Sequence, residues 1–123
     1  MAQHVLIVDD DVLARTLLKE ALKSLGVPLA EAADGAAALL RIEAGDIAVV
    51  VVDLLMPKLS GLELVKHIQE KQLPIATVVV SGLDTPSLVD EARALGARGY
   101  LTKPFHPKEA LAVVRGVWEG VTQ

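Results

Sequence analysis

Asp9, Asp10 and Asp11 stand in a row directly after the apolar run 4–8, and a further aspartate, Asp53, closes the apolar run 47–52. Two other runs end in groups that complement carboxylates: 75–80 leads into Ser81-Gly82, and the short run 99–101 leads into Thr102-Lys103-Pro104. Carboxylates brought close together repel one another and resist ionising unless a cation stands among them. A hard divalent ion resolves such crowding. Magnesium takes one or two protein carboxylates, keeps several waters and shares its remaining positions with phosphate oxygens. An aspartate in such a site can act as a nucleophile toward phosphorus, because a metal and an ammonium stabilise charge on the transferring group. Asp53, alone at the end of its run, is the natural acceptor. Lys103 can neutralise one phosphoryl oxygen, Ser81 can donate a hydrogen bond to another, and Gly82 leaves room beside them.

A single aspartate after a strand is ordinarily a turn former or a helix cap. Four strand ends that each carry a needed group, in order, are what lift this set above that reading. Asp11 is expected to stay outside the site, as a first-turn acid favoured by the helix dipole. His4, His67 and His106 are isolated and lack metal-ligand spacing, so surface or edge positions are expected for them. Trp118 is either a core filler or part of a partner surface.

The elements that must position these groups are legible as an alternation. Runs 4–8, 47–52 and 75–80 lack period-two patterning, so both of their faces should be covered, as in a parallel sheet. Residues 27–32 form a weaker strand, placed at an edge because Pro28 lacks a backbone donor. Leu13, Leu17, Ala21, Leu22 and Leu25 predict one apolar stripe on a first helix that Gly26 ends. A second, Ala-rich helix is predicted over 35–44. A third, over 61–71, turns Leu62, Val65 and Ile68 inward. Asp84-Thr85-Pro86 announces a fourth helix, closing at Leu95-Gly96. The fifth spans about 107–121, with Leu111, Val114 and Val117 or Trp118 inward. Five strand–helix alternations imply an α/β fold, a doubly wound parallel sheet with helices on both faces. Ligands in such sheets bind beyond the carboxyl ends of the strands, which is where the polar groups lie.

Composition narrows the classes. The 123 residues suffice for one domain, 1–123, and 52% of them are hydrophobic with few aromatics. There is no cysteine, which excludes disulfides and thiolate metal sites. The net charge is −4 with scattered Lys and Arg, which argues against direct nucleic-acid binding. No run approaches the roughly 18 apolar residues of a membrane span, and no leader is apparent. A cytoplasmic protein without membrane contact is expected.

Val8-Asp9-Asp10, Asp53-Leu54-Leu55-Met56-Pro57 with Gly61, Ser81-Gly82 and Tyr100-Leu101-Thr102-Lys103-Pro104-Phe105 resemble the signature of response-regulator receiver domains, over essentially the whole chain. The resemblance implies a flavodoxin-like strand order 2-1-3-4-5, which would crowd Asp9, Asp10 and Asp53 into one crevice. It also implies that Asp53 accepts a phosphoryl group from a phosphohistidine donor, either a sensor histidine kinase or a histidine phosphotransfer protein. Asp10 and Asp53 would bind Mg2+, with Asp9 joining directly or through water. Proline after Met56 keeps that residue extended, and the Leu55 backbone carbonyl is expected to face the metal. Ser81 and Lys103 would hold the phosphoryl group, and Tyr100 would be the aromatic that rotates on activation. The resemblance further implies a cis Lys103-Pro104 bond and a changed surface on the fourth helix, fifth strand and fifth helix that controls a downstream effector. Such a protein would catalyse only its own phosphorylation and dephosphorylation. Leu55 and Leu83, each two residues past a site residue, are apolar and predict slow hydrolysis of the phosphoryl group.

Rival readings are weaker. A flavin site needs a phosphate cradle after the first strand, where Asp9-Asp10-Asp11 would repel phosphate. An aspartate-nucleophile hydrolase needs a nearby acid or base and usually a substrate cap, and the short loops supply neither. A non-phosphorylated receiver-like scaffold is the alternative that remains.

Overall fold

Residues 47–53 read Ile-Ala-Val-Val-Val-Val-Asp, and all seven are buried. Stiff β-branched side chains favour the extended chain, and burial on both faces makes this the central strand, β3 (Ile47–Asp53). The computed structural model describes residues 3–56, 60–82 and 86–122. Around β3 lie β1 (His4–Val8), β2 (Leu29–Ala32), β4 (Ala76–Ser81) and β5 (Gly99–Thr102), all parallel, in the order β2-β1-β3-β4-β5. The expected edge strand is therefore at the edge, beginning just after Pro28. Four α-helices connect the strands, α1 (Val12–Leu22), α2 (Gly35–Glu43), α3 (Gly61–Glu70) and α4 (Pro86–Ala94), and α5 (Pro107–Thr122) follows β5.

Alternation within the valine run divides the core. Val50 and Val52 join Leu6, Val8 and Val79 beneath α2, α3 and α4, where Ile42, Leu64, Val65 and Ala92 close over them. Val49 and Val51 join Val5, Ile7 and Val78 on the other side, under Leu18 and Leu22 of α1 and Ala110 and Val114 of α5. Trp118 packs, partly buried, against that second layer.

The helix starts are fixed by side-chain caps. Asp34 accepts from the Ala37 amide at 2.7 Å and Ser60 from that of Glu63 at 3.2 Å. At the start of α5, His106 Nδ1 accepts from the Lys108 amide while Glu109 reaches back to the His106 amide, both at 3.1 Å. The expected cap residues of α4, Asp84 and Thr85, lie outside the described residues, as does Pro57.

Two expectations need correction here. Asp11 is the N-cap of α1, accepting from the Leu13 amide at 3.1 Å, and so stands just before the first turn that it was expected to occupy. The α1 stripe is rotated as well: Leu18 and Leu22 are buried, whereas Leu13 and Leu17 are 64% and 53% exposed. The apolar arc of α1 is wider than the face that the sheet covers. Leu13 and Leu17 fall to its side, in a cleft of about 460 Å³ shared with Pro104, Phe105 and Pro107. The chain then tightens into a 3-10 turn (Lys23–Leu25), and Gly26, at φ 76°, turns it toward β2.

Gly61 marks a close approach of α3 to the end of β3. A Cβ built there would run into the Asp53 carbonyl oxygen and lie 2.8 Å from Leu54 Cα, both backbone atoms that cannot swing away. Gly61→Ala is expected to lower stability by about 1–3 kcal/mol, the usual range for overpacking. Urea unfolding should show the midpoint falling at an unchanged m-value.

Candidate functional site

Parallel registry levels the strand ends. Val8 pairs with Val52 and Asp53 with Val80, so the residue after β1 emerges beside the last residue of β3. This places one carboxylate oxygen from each of Asp9, Asp10 and Asp53 within 4.8 Å of the others. Asp9 is 1% and Asp53 8% exposed, while Asp10 faces solvent. Each buried carboxylate is pinned by a backbone turn. The Asp11 amide donates to Asp9 Oδ1 and the Leu55 amide to Asp53 Oδ1, both at 2.9 Å.

Lys103 supplies the opposing charge. Its Nζ donates to Asp53 Oδ2 at 2.8 Å and to Asp9 Oδ2 at 3.2 Å, bridging the two acids. Its backbone amide donates to the Ser81 carbonyl at 2.7 Å, and the Lys103-Pro104 bond is cis. Ser81 is buried at the end of β4, level with Thr102 of β5.

The strand alternation sorts the candidate residues by side. Asp53 continues the Val49–Val51 series on the α1/α5 side. Ser81 shares the parity of Val79, and with Tyr100 it belongs to the α3/α4 side. The Tyr100 hydroxyl donates to the Ala97 carbonyl at 2.7 Å, and the Arg93 guanidinium lies 4.8 Å from its ring centroid. Leu55 is 53% exposed beside Asp53, and Leu83 lies outside the described residues. His4 sits at the far end of the sheet, beside Asp46. Among the described residues, Asp9, Asp10 and Asp53 are the one group of clustered acidic or imidazole side chains able to share a metal ion.

Sequence reasoning missed Arg15, which bonds the Asp9 backbone carbonyl at 2.6 Å. Its signal was an arginine one turn before Leu18, on a helix face otherwise given to the core.

The sequence profile described as "Response regulator receiver domain" matches residues 5–115. The chain belongs to the response-regulator receiver family. Chemotaxis protein CheY of Thermotoga maritima is 30% identical to this receiver over 118 residues, covering 95% of it and 98% of that protein. The alkaline phosphatase synthesis transcriptional regulatory protein PhoP of Bacillus subtilis is 32% identical over 117 residues, 95% of this receiver and 49% of that protein. The chain thus spans about half the length of several curated relatives it matches. The crystal structure of Vibrio cholerae chemotaxis protein CheY4 superposes with a TM-score of 0.84 at 29% identity, covering 95% of this receiver and 99% of that chain.

Electrostatics of the receiver's crevice follow from its burial. Burial pushes the Asp9 carboxyl above its ordinary range, and the Asp53 charge adds to this against the Asp11 amide and Lys103. Burial acts to lower the Lys103 ammonium, but Asp53 and Asp9 together override it and hold the ammonium above its ordinary value. An all-oxygen donor set, two of its members buried and one of these resisting ionisation, fits a hard divalent cation. Among the described residues, no helix is long and apolar enough to cross a membrane.

A raised Asp9 means that the folded receiver binds more protons than the unfolded chain, so stability falls as pH rises from 3.8 through the folded value. The raised Lys103 gives the same sign at higher pH: its stabilising contribution is present below 10.5 and is lost as pH climbs through the folded value. Asp9→Asn, which keeps an acceptor for the Asp11 amide, should therefore stabilise the metal-free receiver near neutral pH. A gain on the order of 1 kcal/mol corresponds to a rise of roughly 4 °C in Tm for a domain of this size. Melting curves in a chelator should show the gain shrinking toward pH 3.8, where wild-type Asp9 is itself protonated, and millimolar magnesium should erase it at pH 7.

Proposed function

We propose that this receiver is a phosphoacceptor switch: Asp53 takes a phosphoryl group from a phosphohistidine donor in a magnesium-dependent reaction. The observation that carries this reading is the Lys103 ammonium bridging Asp53 and Asp9 at the mouth of a crevice with a third carboxylate beside it. A structural ion pair would need one partner. A cation shared between two acids is placed to follow charge as it moves outward from Asp53.

An Asp53 carboxylate oxygen attacks phosphorus as the bond to the donor imidazole breaks, leaving an acyl phosphate on Asp53 and a histidine that takes up a proton. The Leu55 amide keeps the other carboxylate oxygen in place, which fixes the direction of attack. Lys103 exchanges its bond to Asp53 for one to a phosphoryl oxygen, and the Ser81 hydroxyl donates to a second. Asp9, Asp10, Asp53 and the Leu55 carbonyl are the groups that would hold Mg2+, which when bound offsets the negative charge of carboxylates and phosphoryl oxygens alike. The chain catalyses no reaction but its own phosphorylation and dephosphorylation. Its donor is a sensor histidine kinase or a histidine phosphotransfer protein, and its effector is controlled through α4, β5 and α5.

Asp53→Asn should reduce labelling by radiolabelled acetyl phosphate and magnesium at least about 100-fold. Equal labelling of the variant sinks the reading. Failure of the wild-type chain to label would leave the non-phosphorylated interaction scaffold in its place.

The output half is tested separately. Inward movement of Ser81 vacates space that the Tyr100 ring enters, giving up its bond to Ala97 and its contact with Arg93. A coupling of roughly 1–3 kcal/mol is enough for a 5–150-fold change in effector affinity. With beryllofluoride and magnesium, amide NMR shifts should extend to Arg93, Ala97 and Tyr100. Shifts confined to the crevice count against the switch.

A further inference from the structure

Beneath the carboxylates lies a cation that the phosphoacceptor reading does not use. Arg15, in the first half of α1, has a side chain only 14% exposed. Its Nη1 donates to the Asp9 carbonyl oxygen at 2.6 Å and its Nε to Glu31 Oε1 at 3.2 Å. Glu31 lies on β2, paired with Ile7 of β1, and receives Lys19 Nζ on its other oxygen at 2.9 Å. Lys19 first and Arg15 after it hold the Glu31 carboxyl below its usual range, so it stays ionised and keeps the guanidinium oriented.

The Asp9 carbonyl is where the sheet lets go of the chain. The Asp9 amide still bonds to the Ala32 carbonyl at 3.2 Å, but the next peptide, between Asp9 and Asp10, leaves the β1–β2 ladder. That peptide's orientation sets the direction in which both carboxylates point. A rigid two-pronged donor on its oxygen, anchored at its other prong to β2, holds that orientation. A flexible ammonium would not span both acceptors with the same geometry.

We propose that Arg15 is a positioning residue for the metal-binding carboxylates: tethered to Glu31, it locks the Asp9–Asp10 peptide so that both acids face the crevice. The inference rests on the magnesium-dependent reading above. It also has an opposing alternative with a definite sign. If Arg15 acted only through its charge, it would repel a divalent cation, and removing it would tighten magnesium binding.

Arg15→Met keeps the apolar stem and deletes the donors, and Arg15→Lys keeps the charge but not the fork. Calorimetric titration with magnesium chloride should show binding weakened about 10-fold or more in Arg15→Met, the scale seen when groups supporting metal ligands are removed. Arg15→Lys should recover only part of it. In acetyl phosphate labelling, the magnesium needed for half-maximal rate should rise by the same factor, with the rate at saturating magnesium unchanged. In the metal-free variant, amide hydrogen exchange at Asp10 and Asp11 should quicken while the β3 amides keep their protection. Unchanged or tighter magnesium binding in Arg15→Met, or full wild-type affinity in Arg15→Lys, overturns the proposal. If wild-type protein binds no magnesium, the phosphoacceptor reading fails on its own, and the exchange rates at Asp10 and Asp11 still decide whether the tether exists.

Discussion

Two carboxylates from neighbouring strands are brought into one small volume at the end of the sheet, and a single ammonium stands between them. Asp9 and Asp53 are both nearly inaccessible, and parallel registry forces their juxtaposition, since Val8 and Val52 are partners in the ladder. Buried like charges are unfavourable unless something of opposite sign is close. Lys103 is that group, reaching from β5 across β4 to both acids. Backbone groups hold these three side chains where they repel and attract at short range. The Asp11 and Leu55 amides fix the acids, and the Ser81 carbonyl fixes the lysine's backbone.

Such an arrangement is poor for stability and good for chemistry. A hydrophobic replacement would cost the fold little, because the valine sheet and its two helical layers already supply the burial. What the charged crevice provides is a place where a change of two charges is felt strongly. Asp9 and Asp53 are nearly inaccessible to solvent, so the field of an added anion would be weakly screened there. A bound cation and an added phosphoryl group would each alter the balance that Lys103 holds, in opposite directions.

The chemistry was legible in the sequence because it sits at strand ends, where a change from apolar to polar is abrupt. Asp9, Asp53, Ser81 and Lys103 each follow closely on an apolar run of strand length, and the structure places each at or just past the end of a strand. The edge position of β2 followed from Pro28 for a similarly local reason. The rotation of α1 did not, because an apolar arc containing Leu13, Leu17, Leu18 and Leu22 is compatible with more than one facing, and contacts outside the helix choose among them. Arg15 is part of that choice, since its bond to the Asp9 carbonyl ties one face of the helix to the end of β1. Asp11 was misplaced by one position for the same reason: a cap and a first-turn acid differ only in where the helix begins.

The alternation of the sheet also divides labour in a way that no single motif displays. Asp53 lies on the side of the sheet covered by α1 and α5, whereas Ser81 and Tyr100 belong to the side covered by α3 and α4. A charge added at Asp53 therefore cannot reach Tyr100 through direct packing on one face. It would have to act across the strand ends, where Ser81 stands next to β3 while sharing a face with the tyrosine. Tyr100, packed against the α3/α4 core layer, makes its polar contacts with the Ala97 carbonyl and the Arg93 guanidinium. Those two contacts are the ones that an inward rotation would break, so in the proposed switch the outer surface of α4 and β5 would change because of what the ring leaves behind as well as the space it enters. On that reading the strength of the Arg93 and Ala97 contacts, and not only the affinity of the crevice for a ligand, would determine how far the proposed switch is biased toward its resting form.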